Sequence, residues 1–481
     1  MADLFSHPSD GAGHGFDQSG WTGKSEGTRA VHTRAVTVPD MGVYRVKVQL
    51  DADAVLFGQR RNLIDTNAHA GENTFLTCLT EYIPSMQNAL HRDKTLFASS
   101  FGGSITAMSA EQTQARRVFV AGDSTVADQY AAREYYPFDC YAGWGQMLSC
   151  FLKKDAICNM AHSGLTARCF QEDGHFDIVK RYMQKGDLLL IQFGHNDQKR
   201  RELQAHRLYC AYLEALADAA LACGAQPVLI SPVSRVPSHD AAGAFDLLKA
   251  HAEAVGELAN KRRIPFIDLH TYSFEEYCRM GERCRDLFKD MTHANDPGAF
   301  ALAREVARCL SAMGLAEWTV VDAGCLKSDR ARSSRPSVPA PLPVPYIDTQ
   351  DVEDQTVLYE GVQNGLLDPC VLHMHPFEPL SRMDFLQKLF RAAGLGGEAT
   401  DGIAPYRDID AREFDASCAA ACKKRGLIDG DTLRPDDMIT VLEINDLCAR
   451  LGCTARLNES DALPDRYQIT KLLNQIRAER K

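Results

Sequence analysis

The sequence predicts a protein of several domains, in which an α/β domain lies between an all-β sandwich and a set of α-helical repeats. Three observations lead to this prediction. Short alternating strand patterns occupy residues 1–114, apolar strands alternate with helical stretches over residues 115–325, and a helical pattern recurs within residues 346–481. The stretch 326–345, LKSDRARSSRPSVPAPLPVP, has the composition of an extended linker between the last two regions.

The first region carries strand patterns that are bounded by turn residues, and it shows no convincing helical period. Residues 42–50, GVYRVKVQL, alternate between an apolar set of positions and a mostly polar set. Three further stretches are strand candidates: 73–79, 94–101 and 104–112. We therefore expect an all-β sandwich over about the first hundred residues.

The central region contains five strands that are apolar along nearly their whole length: 116–122, 156–161, 187–194, 226–233 and 264–269. Such strands between helical stretches are typical of a parallel sheet that is covered on both faces. A helix is predicted over 203–224, where a glycine closes it. Ligands bind beyond the carboxyl ends of such strands. Ser124 directly follows the first strand, and GHND (194–197) follows the third.

The C-terminal region contains an internal repeat. Residues 345–395 align with residues 405–452, and each unit opens with Tyr-x-Asp, at Tyr346 and at Tyr406. In each unit a helix ends in Gly-Leu, and a second helix follows after a turn. Residues 462–481 have the pattern of a closing helix from a third, shortened unit. Units of this size cannot bury a core alone, so we expect them to pack on each other.

The composition argues against several functional classes. A net charge of −11 disfavours nucleic acid as the main partner, because phosphate binding needs a basic face. The sequence contains no apolar run of about 18 residues, so it predicts no membrane-inserted helix. The N-terminal residues lack the pattern of a signal peptide, and the sixteen cysteines have no CxxC pair. We expect reduced thiols, no metal, no cofactor and a cytoplasmic location, with an extracellular or wall-associated location as the alternative.

Loops at the predicted carboxyl edge of the sheet carry residues suited to acyl transfer. A serine nucleophile needs an imidazole base and a carboxylate that orients it, and Asp290 and His293 lie three residues apart after the last strand. Gly164 and Asn196 could donate N–H groups to an oxyanion. Taken singly, Ser124 could be only a helix N-cap, and each of the others only a turn residue. Their combination favours a catalytic site.

The same residues match, in order, the four motif blocks of the SGNH (GDSL-like) hydrolase superfamily: Gly122-Asp123-Ser124, Gly164, Gly194-x-Asn196 and Asp290-x-x-His293. The longer stretches FVAGDSTVADQY, GWGQML, FGHNDQ and DMTHANDPGA resemble the rhamnogalacturonan acetylesterase family. The resemblance covers roughly residues 116–315. It implies a flavodoxin-like α/β fold for the central domain.

The resemblance also implies roles for these residues. Ser124 would be the nucleophile, His293 the general base and Asp290 its orienting partner. The backbone N–H groups of Ser124 and Gly164 and the Nδ2 atom of Asn196 would form the oxyanion hole. The implied reaction removes O-acetyl groups from plant cell-wall carbohydrate of the rhamnogalacturonan or pectin type, without a metal. An acetylxylan or general carbohydrate esterase and a non-catalytic wall-binding protein are the alternatives.

Three residues are candidates for substrate binding. Trp144 could stack on a sugar ring or could anchor the start of a helix. Arg168 could supply positive charge beside the Gly164 loop, where Leu165-Thr166-Ala167 replace the basic residue and hydroxyl residues that the family often has. His195 could contact the substrate, or it could pack and hydrogen-bond within its own loop.

The flanking regions resemble other families. The first hundred residues, with GHGF at 13–16, resemble a galactose-binding-like β-sandwich that either binds sugar or covers the esterase. The C-terminal units resemble S-layer homology (SLH) repeats, which bind pyruvylated cell-wall polymer in that family. Their Thr-Arg-Ala-Glu signature is replaced by Ser-Arg-Met-Asp at 381–384 and by Thr-Val-Leu-Glu at 440–443. Arg382 is the one basic residue of this signature that remains and could contact an anion, so polymer binding stays an open alternative.

Overall fold

The computed structural model describes the residues 16–17, 29–84, 90–132, 134–240, 243–326, 348–367, 374–398, 400, 403–413, 415–458 and 460–480. The chain divides into two compact units. The first consists of Met1–Val236 with His251–Ser337, and the second consists of Pro237–Ala250 with Val338–Lys481. The predicted linker after Leu326, most of the GHGF stretch and the first Tyr-x-Asp tyrosine lie outside the described residues.

The N-terminal region is built mainly from antiparallel strands, while its first, two-residue strand pairs in parallel with a strand from later in the chain. Its strands are β1 (Phe16–Asp17), β2 (Arg29–Thr37), β3 (Gly42–Leu50), β4 (Ala54–Phe57), β5 (Leu63–Ala68), β6 (Gly71–Leu79), β7 (Thr95–Gly102) and β8 (Ile105–Gln112). One sheet has the order β6-β3-β8, and a second contains β2-β7-β4-β5 with a short strand from later in the chain at its edge. All four predicted stretches fall on strands, whereas β2, β4 and β5 were not predicted.

The inner faces of these two sheets share one apolar cluster, to which β3 contributes alternate residues. Tyr44, Val46 and Val48 are buried, while Arg45 and Lys47 between them are exposed. This burial pattern follows from the period of two along a strand. The β-rich character predicted for the region is confirmed. Its identity as a galactose-binding-like domain stays a prediction.

The central sheet contains five parallel strands in the order β12-β9-β13-β14-β17. The strands after β8 are β9 (Arg117–Gly122), β10 (Ala131–Ala132), β11 (Glu134–Tyr135), β12 (Ala156–Asn159), β13 (Leu188–Gln192), β14 (Gln226–Ile230), β15 (Ser238–Asp240), β16 (Gly243–Phe245) and β17 (Phe266–Ile267). The predicted five-stranded parallel sheet is therefore confirmed. β9 is the first of the strands predicted for the central region. It lies next to the central strand of the sheet, and its carboxyl end leads into Ser124.

Helices cover both faces of this sheet. They are α1 (Trp144–Met147), α2 (Ala167–Glu172), α3 (His175–Tyr182), α4 (Cys210–Cys223), α5 (Lys249–Arg262), α6 (Leu269–Met280) and α7 (Asp296–Ala312). Val118 and Val120 join an apolar cluster with α7, whereas Phe119 and Ala121 join a second cluster with α3 and α4. Because successive strand residues point to opposite faces, both faces need apolar side chains. This explains why these strands are apolar throughout.

The helix predicted over 203–224 is shorter than expected at its start. Residues Ala205–Tyr209 form a π-helical turn, and α4 begins at Cys210. Its predicted glycine cap is confirmed, because Gly224 has a φ of 80° and follows the last residue of α4.

Among the cysteines that the structure describes, none takes part in a disulfide bond. Cys150 and Cys158 are buried in the central domain, whereas Cys223 is exposed at the end of α4. Among the helices of the described chain, none has both the length and the apolar composition that crossing a membrane requires.

The second unit contains the hairpin β15–β16 and the C-terminal helices: α8 (Gln355–Gln363), α9 (Arg382–Ala392), α10 (Asp415–Lys424), α11 (Val441–Arg450) and α12 (Arg466–Glu479). The predicted repeat is visible in its hydrogen bonds. The carboxylate of Asp348 accepts the backbone N–H groups of residues 374–375, and that of Asp408 accepts those of residues 433–434. The aspartate of each Tyr-x-Asp sequence thus performs the same structural role.

Arg382 in α9 does not present a free positive charge. Its guanidinium is buried, donates to the backbone oxygen of Leu433 at 2.9 Å and forms an ion pair with Glu443. The prediction that Arg382 contacts an anion is therefore corrected, because its charge is already neutralised inside the repeat. Whether these units are SLH repeats stays a prediction.

Candidate active site

Ser124 lies at the carboxyl edge of the central sheet, two residues beyond the last position of β9. The turn depends on Gly122, because a Cβ atom there would lie 2.8 Å from the backbone oxygen of Gln192 on β13. Asp123 orders the turn by accepting hydrogen bonds from the backbone N–H and the hydroxyl of Thr125, at 3.0 and 2.8 Å. The strand and the Asp123 turn together fix where the serine hydroxyl lies.

Ser124, His293 and Asp290 form one hydrogen-bonded chain. The Oγ atom of Ser124 lies 2.7 Å from Nε2 of His293, and Nδ1 of His293 lies 2.9 Å from Oδ2 of Asp290. The other carboxylate oxygen of Asp290 accepts the backbone N–H groups of Thr292 and His293, at 2.7 Å each. The structure thus brings together the three residues that the sequence predicts as nucleophile, base and orienting carboxylate.

The charge state of this chain follows from its hydrogen bonds. Burial favours a higher pKa for Asp290, but the nearby His293 and the hydrogen bonds to the carboxylate together hold that pKa below its ordinary value. Asp290 is therefore ionised at neutral pH. Because the Nδ1 proton of His293 is donated to this carboxylate, Nε2 is left to accept the proton of the serine hydroxyl.

The two further predicted oxyanion donors lie in loops that contact each other. The Nδ2 atom of Asn196 donates to the backbone oxygen of Leu165 at 3.0 Å, which places the amide beside Gly164. Gly164 has a φ of 83°, in the left-handed region that favours glycine. The Oδ1 atom of Asn196 accepts from Nζ of Lys199 at 3.3 Å. One of the two Nδ2 hydrogens of Asn196 makes the bond to Leu165, and the second hydrogen takes no part in that bond.

Gln129 connects the serine turn with the loop that contains Gly164. Its Nε2 atom donates to the backbone oxygen of Ser124 at 2.9 Å and lies 3.2 Å from Oγ of Ser163. The sequence analysis did not identify this residue. A glutamine five positions after a serine has no distinctive pattern, so no sequence signal could have found it.

His195 does not lie where a substrate could reach it. It is 1% exposed, and its Nδ1 atom lies 3.4 Å from Oδ2 of Asp123. Burial lowers the pKa of His195 despite the nearby Asp123 carboxylate. The prediction of substrate contact is corrected, and the alternative of a histidine packed within its own loop holds. Asp197 also orders a loop, since it accepts the backbone N–H of Ala167 at 2.9 Å, and burial raises its pKa to about 7.

The prediction that Trp144 stacks on a sugar ring is wrong, because its side chain is fully buried. It is the first residue of α1, and its Nε1 atom donates to Oε1 of Gln192 at 2.8 Å. The alternative of a helix-start anchor is therefore correct. Arg168 is exposed and forms an ion pair with Glu172 one helical turn away, at 2.8 Å. Its contact with substrate stays a prediction.

Tyr141 is an aromatic residue beside the site that the sequence analysis missed. Its ring packs edge-on against the ring of His293, with centroids 5.6 Å apart, and 39% of the residue is exposed. Tyr141 and Trp144 belong to the same short stretch, YAGWGQML. Only the turn before α1 decides which aromatic side chain faces solvent, and the residue types do not reveal that turn.

Comparison with known proteins gives a consistent result. Residues 120–299 match the GDSL-like Lipase/Acylhydrolase family. Rhamnogalacturonan acetylesterase RhgT of Bacillus subtilis is 32% identical over 216 residues, which cover 41% of this chain and 91% of RhgT. The uncharacterized esterase YxiM of the same organism is 29% identical over 301 residues, or 60% of this chain and 77% of YxiM. The alignment with the X-ray structure of YxiM covers 59% of this chain and 81% of the YxiM chain, with 26% identity and a TM-score of 0.38.

The parallel sheet, the serine at its carboxyl edge and the esterase relatives define a carboxylic ester hydrolase. The chain belongs to the GDSL-like lipase/acylhydrolase family. The family resemblance found in the motif blocks is thereby confirmed for the central domain.

Proposed function

We propose that this protein is a serine esterase that removes O-acetyl groups from plant cell-wall carbohydrate of the rhamnogalacturonan or pectin type. The observation that carries the proposal is the continuous hydrogen-bonded chain from Ser124 through His293 to Asp290. The similarity to rhamnogalacturonan acetylesterase RhgT supports the substrate class.

In the proposed mechanism Ser124 attacks the carbonyl carbon of the acetyl group while Nε2 of His293 takes the hydroxyl proton. The ionised Asp290 stabilises the imidazolium that forms. The tetrahedral intermediate collapses when His293 returns the proton to the departing sugar oxygen, which leaves an acetyl group on the serine. A water molecule then attacks this acetyl-enzyme, with His293 again acting as base, and acetate is released.

The negative oxygen of the tetrahedral intermediate needs donors that are already in place. The backbone N–H of Ser124, the backbone N–H of Gly164 and the second Nδ2 hydrogen of Asn196 are the proposed donors. At Gly164, leaving aside the glycine itself and its two chain neighbours, no atom of the described residues lies within 4 Å of the position that a Cβ would take, so the loop has open space on that side. This openness supports the approach of a carbonyl oxygen to the loop.

The rival function is a non-catalytic wall-binding protein with a degenerate hydrolase domain. Such a domain has no selection for a complete catalytic chain, yet Ser124, His293 and Asp290 are present and hydrogen-bonded here. The rival therefore has less support than the esterase. An acetylxylan or general carbohydrate esterase uses the same chemistry, and only the preferred substrate separates it from the proposal.

The test is acetate release by the full chain and by the variant Ser124→Ala. The substrates are acetylated rhamnogalacturonan oligosaccharides, acetylated xylo-oligosaccharides and p-nitrophenyl acetate. We expect the variant to lose activity on all three, and the native chain to prefer the first. Ser100→Ala is a matched control, because Ser100 is also buried but bonds to Gly103 in the N-terminal region. Residual turnover near the native level in Ser124→Ala would overturn the mechanism, whereas a preference for xylan would overturn only the substrate class.

A further inference from the structure

Arg61 comes from the N-terminal region but is buried against residues of the central domain. It lies in the turn between β4 and β5, and its side chain is 0% exposed. Its Nη1 atom donates to both carboxylate oxygens of Asp296, at 2.8 and 2.7 Å. Asp296 is the first residue of α7 and stands three positions after His293. One end of this ion pair therefore belongs to the loop that carries the proposed base.

The other nitrogens of the guanidinium contact the remaining loops around the site. Nη2 donates to the backbone oxygen of Tyr141 at 2.6 Å and to Oε1 of Gln146 at 3.1 Å, and Nε donates to the backbone oxygen of Gln129 at 3.2 Å. Gln129 in turn donates to the backbone oxygen of Ser124. The single side chain of Arg61 thus lies between the serine turn, the Tyr141 loop and the histidine loop.

Asp296 is one of several residues that tie the histidine loop to its surroundings, together with Met291 and Ala294, whose backbone oxygens accept the N–H groups of Val236 and Ala142. The carboxylate of Asp296 also accepts hydrogen bonds from the hydroxyl of Tyr135 and from Sγ of Cys140. Burial favours a lower pKa for Arg61, but Asp296 and the other neighbours hold that pKa above its ordinary value. The buried guanidinium is therefore charged, and every nitrogen of its planar fork has a defined acceptor.

The backbone that presents this side chain is strained. Arg60 and Arg61 are consecutive non-glycine residues with φ values of 51° and 59°, which L-residues adopt rarely. Gln59 anchors the turn to β7, because its side chain donates to the backbone oxygen of Thr95 at 3.2 Å and accepts the N–H of Phe97 at 2.8 Å. Such strain persists only where surrounding contacts compensate for it, and the contacts of Arg61 are of that kind.

We propose that Arg61 is a positioning residue for the esterase site, supplied by the N-terminal β-rich region. Its guanidinium fixes the serine turn against the histidine loop, and so maintains the distance between Ser124 and His293. This inference rests on the catalytic roles proposed above for those two residues. It gives the N-terminal region a part in catalysis that does not depend on sugar binding.

The first test is Arg61→Lys in the full chain. Lysine keeps the charge but has one nitrogen, so it cannot reach Asp296, Tyr141 and Gln129 together. We expect kcat for p-nitrophenyl acetate to fall about 10–100-fold per active site, with KM changed less than about threefold, because small misplacements of reacting groups cost rate rather than affinity. Active sites are counted by labelling Ser124 with a phosphonate inhibitor, so that unfolded protein does not contribute.

The matched control is Arg116→Lys. Arg116 also makes a bidentate ion pair, with Asp155, and donates to the backbone oxygen of Leu315, but it precedes β9 at the opposite edge of the sheet from Ser124. We expect this variant to lose stability while kcat per active site stays at the native value. An equal loss of kcat in the two variants would overturn the proposal, and so would native kcat in Arg61→Lys.

A second variant separates positioning from folding. In Arg61→Met/Asp296→Asn both charges are removed together, so no uncompensated buried charge destabilises the chain. The positioning role predicts that kcat per active site stays about 10–100-fold low in this variant as well. Native kcat in the double variant would show that Arg61 only balances the charge of Asp296, and would overturn the proposal. Activity remaining in Ser124→Ala contradicts the proposed function instead, so the two failures are distinguishable.

Discussion

The Nε2 atom of His293 lies 2.7 Å from the hydroxyl oxygen of Ser124, although 169 positions separate the two residues in the sequence. β9 ends just before Ser124 at the carboxyl edge of the sheet, and the loop between α6 and α7, which carries His293, reaches the same edge. A distance in the hydrogen-bonding range is what a general base needs. In the proposed mechanism the hydroxyl and the imidazole act as one unit, so a change that misorients the imidazole should slow the chemical step.

Asp290→Asn tests the orientation of His293. An asparagine amide can donate to Nδ1, which would place the imidazole proton on Nε2 and leave no acceptor for the serine hydroxyl. We expect kcat to fall by about 10²–10⁴ with little change in KM. The measurement is steady-state hydrolysis of p-nitrophenyl acetate. The control is Asp177→Asn, at an exposed position of α3, and a native kcat in Asp290→Asn would contradict the role of the carboxylate.

Asn196→Ala tests the oxyanion hole. If Nδ2 of Asn196 stabilises the tetrahedral intermediate, its removal should lower kcat by about 10²–10³ while KM changes little. The variant also loses the hydrogen bond to Leu165, so stability is measured in parallel by thermal unfolding. Asn260→Ala, at an exposed position of α5, is the control. A loss of less than about threefold would remove Asn196 from the mechanism.

The central sheet and the residues of the proposed catalytic chain could be predicted from the sequence because both leave local patterns in it. Each of the five strands is a short apolar run, and Ser124 and Asn196 stand in loops that directly follow strands. Since parallel strands end at one edge, these two residues are expected to meet there. The Asp290–His293 pair lies beyond α6, and the order of the motif blocks identified it. No knowledge of long-range side-chain contacts was needed.

The supporting contacts could not be predicted, because they join residues that share no local pattern. Arg61 and Asp296 are 235 positions apart, and nothing in either neighbourhood indicates an ion pair. Trp144 and Tyr141 are both aromatic residues near a helix start, yet one is buried and the other is exposed. The short strand β4 contains only four residues, all of them buried, so it shows no alternation. Tertiary packing decides each of these features.

The pH dependence of activity tests His293 as the base. An ordinary imidazole is protonated below about pH 6.5 and then cannot accept the serine proton. The pKa of Asp290 is held below its ordinary value, so the carboxylate stays ionised throughout the range in which the imidazole titrates. We expect kcat/KM to fall on acidification as the imidazole of His293 takes up a proton and loses its capacity as a base. A flat profile from pH 5 to 8, with the enzyme shown to remain folded, would contradict the assignment.

The pH dependence of stability should depend on a buried histidine that does not belong to the triad. His251 is buried, its Nε2 atom lies 3.4 Å from the backbone oxygen of Leu203, and its ring packs edge-on against Tyr209. Burial lowers the pKa of His251 to about 4, although the hydrogen bond to Leu203 opposes the shift. In the unfolded chain the same histidine titrates near 6.5. Between these two values the unfolded state binds more protons than the folded state, so stability falls as the pH drops from about 6.5 to about 4.

His251→Gln removes this contribution. Because one pKa unit corresponds to about 1.4 kcal/mol, the native chain should lose up to about 3 kcal/mol of stability through this group on acidification, and the variant should lose correspondingly less. The measurement is the urea midpoint of the central domain at pH 7 and at pH 4.5. His69→Gln serves as the control, since the His69 side chain is 77% exposed. Equal losses of stability in the native chain and in His251→Gln would show that His251 does not stay neutral when buried.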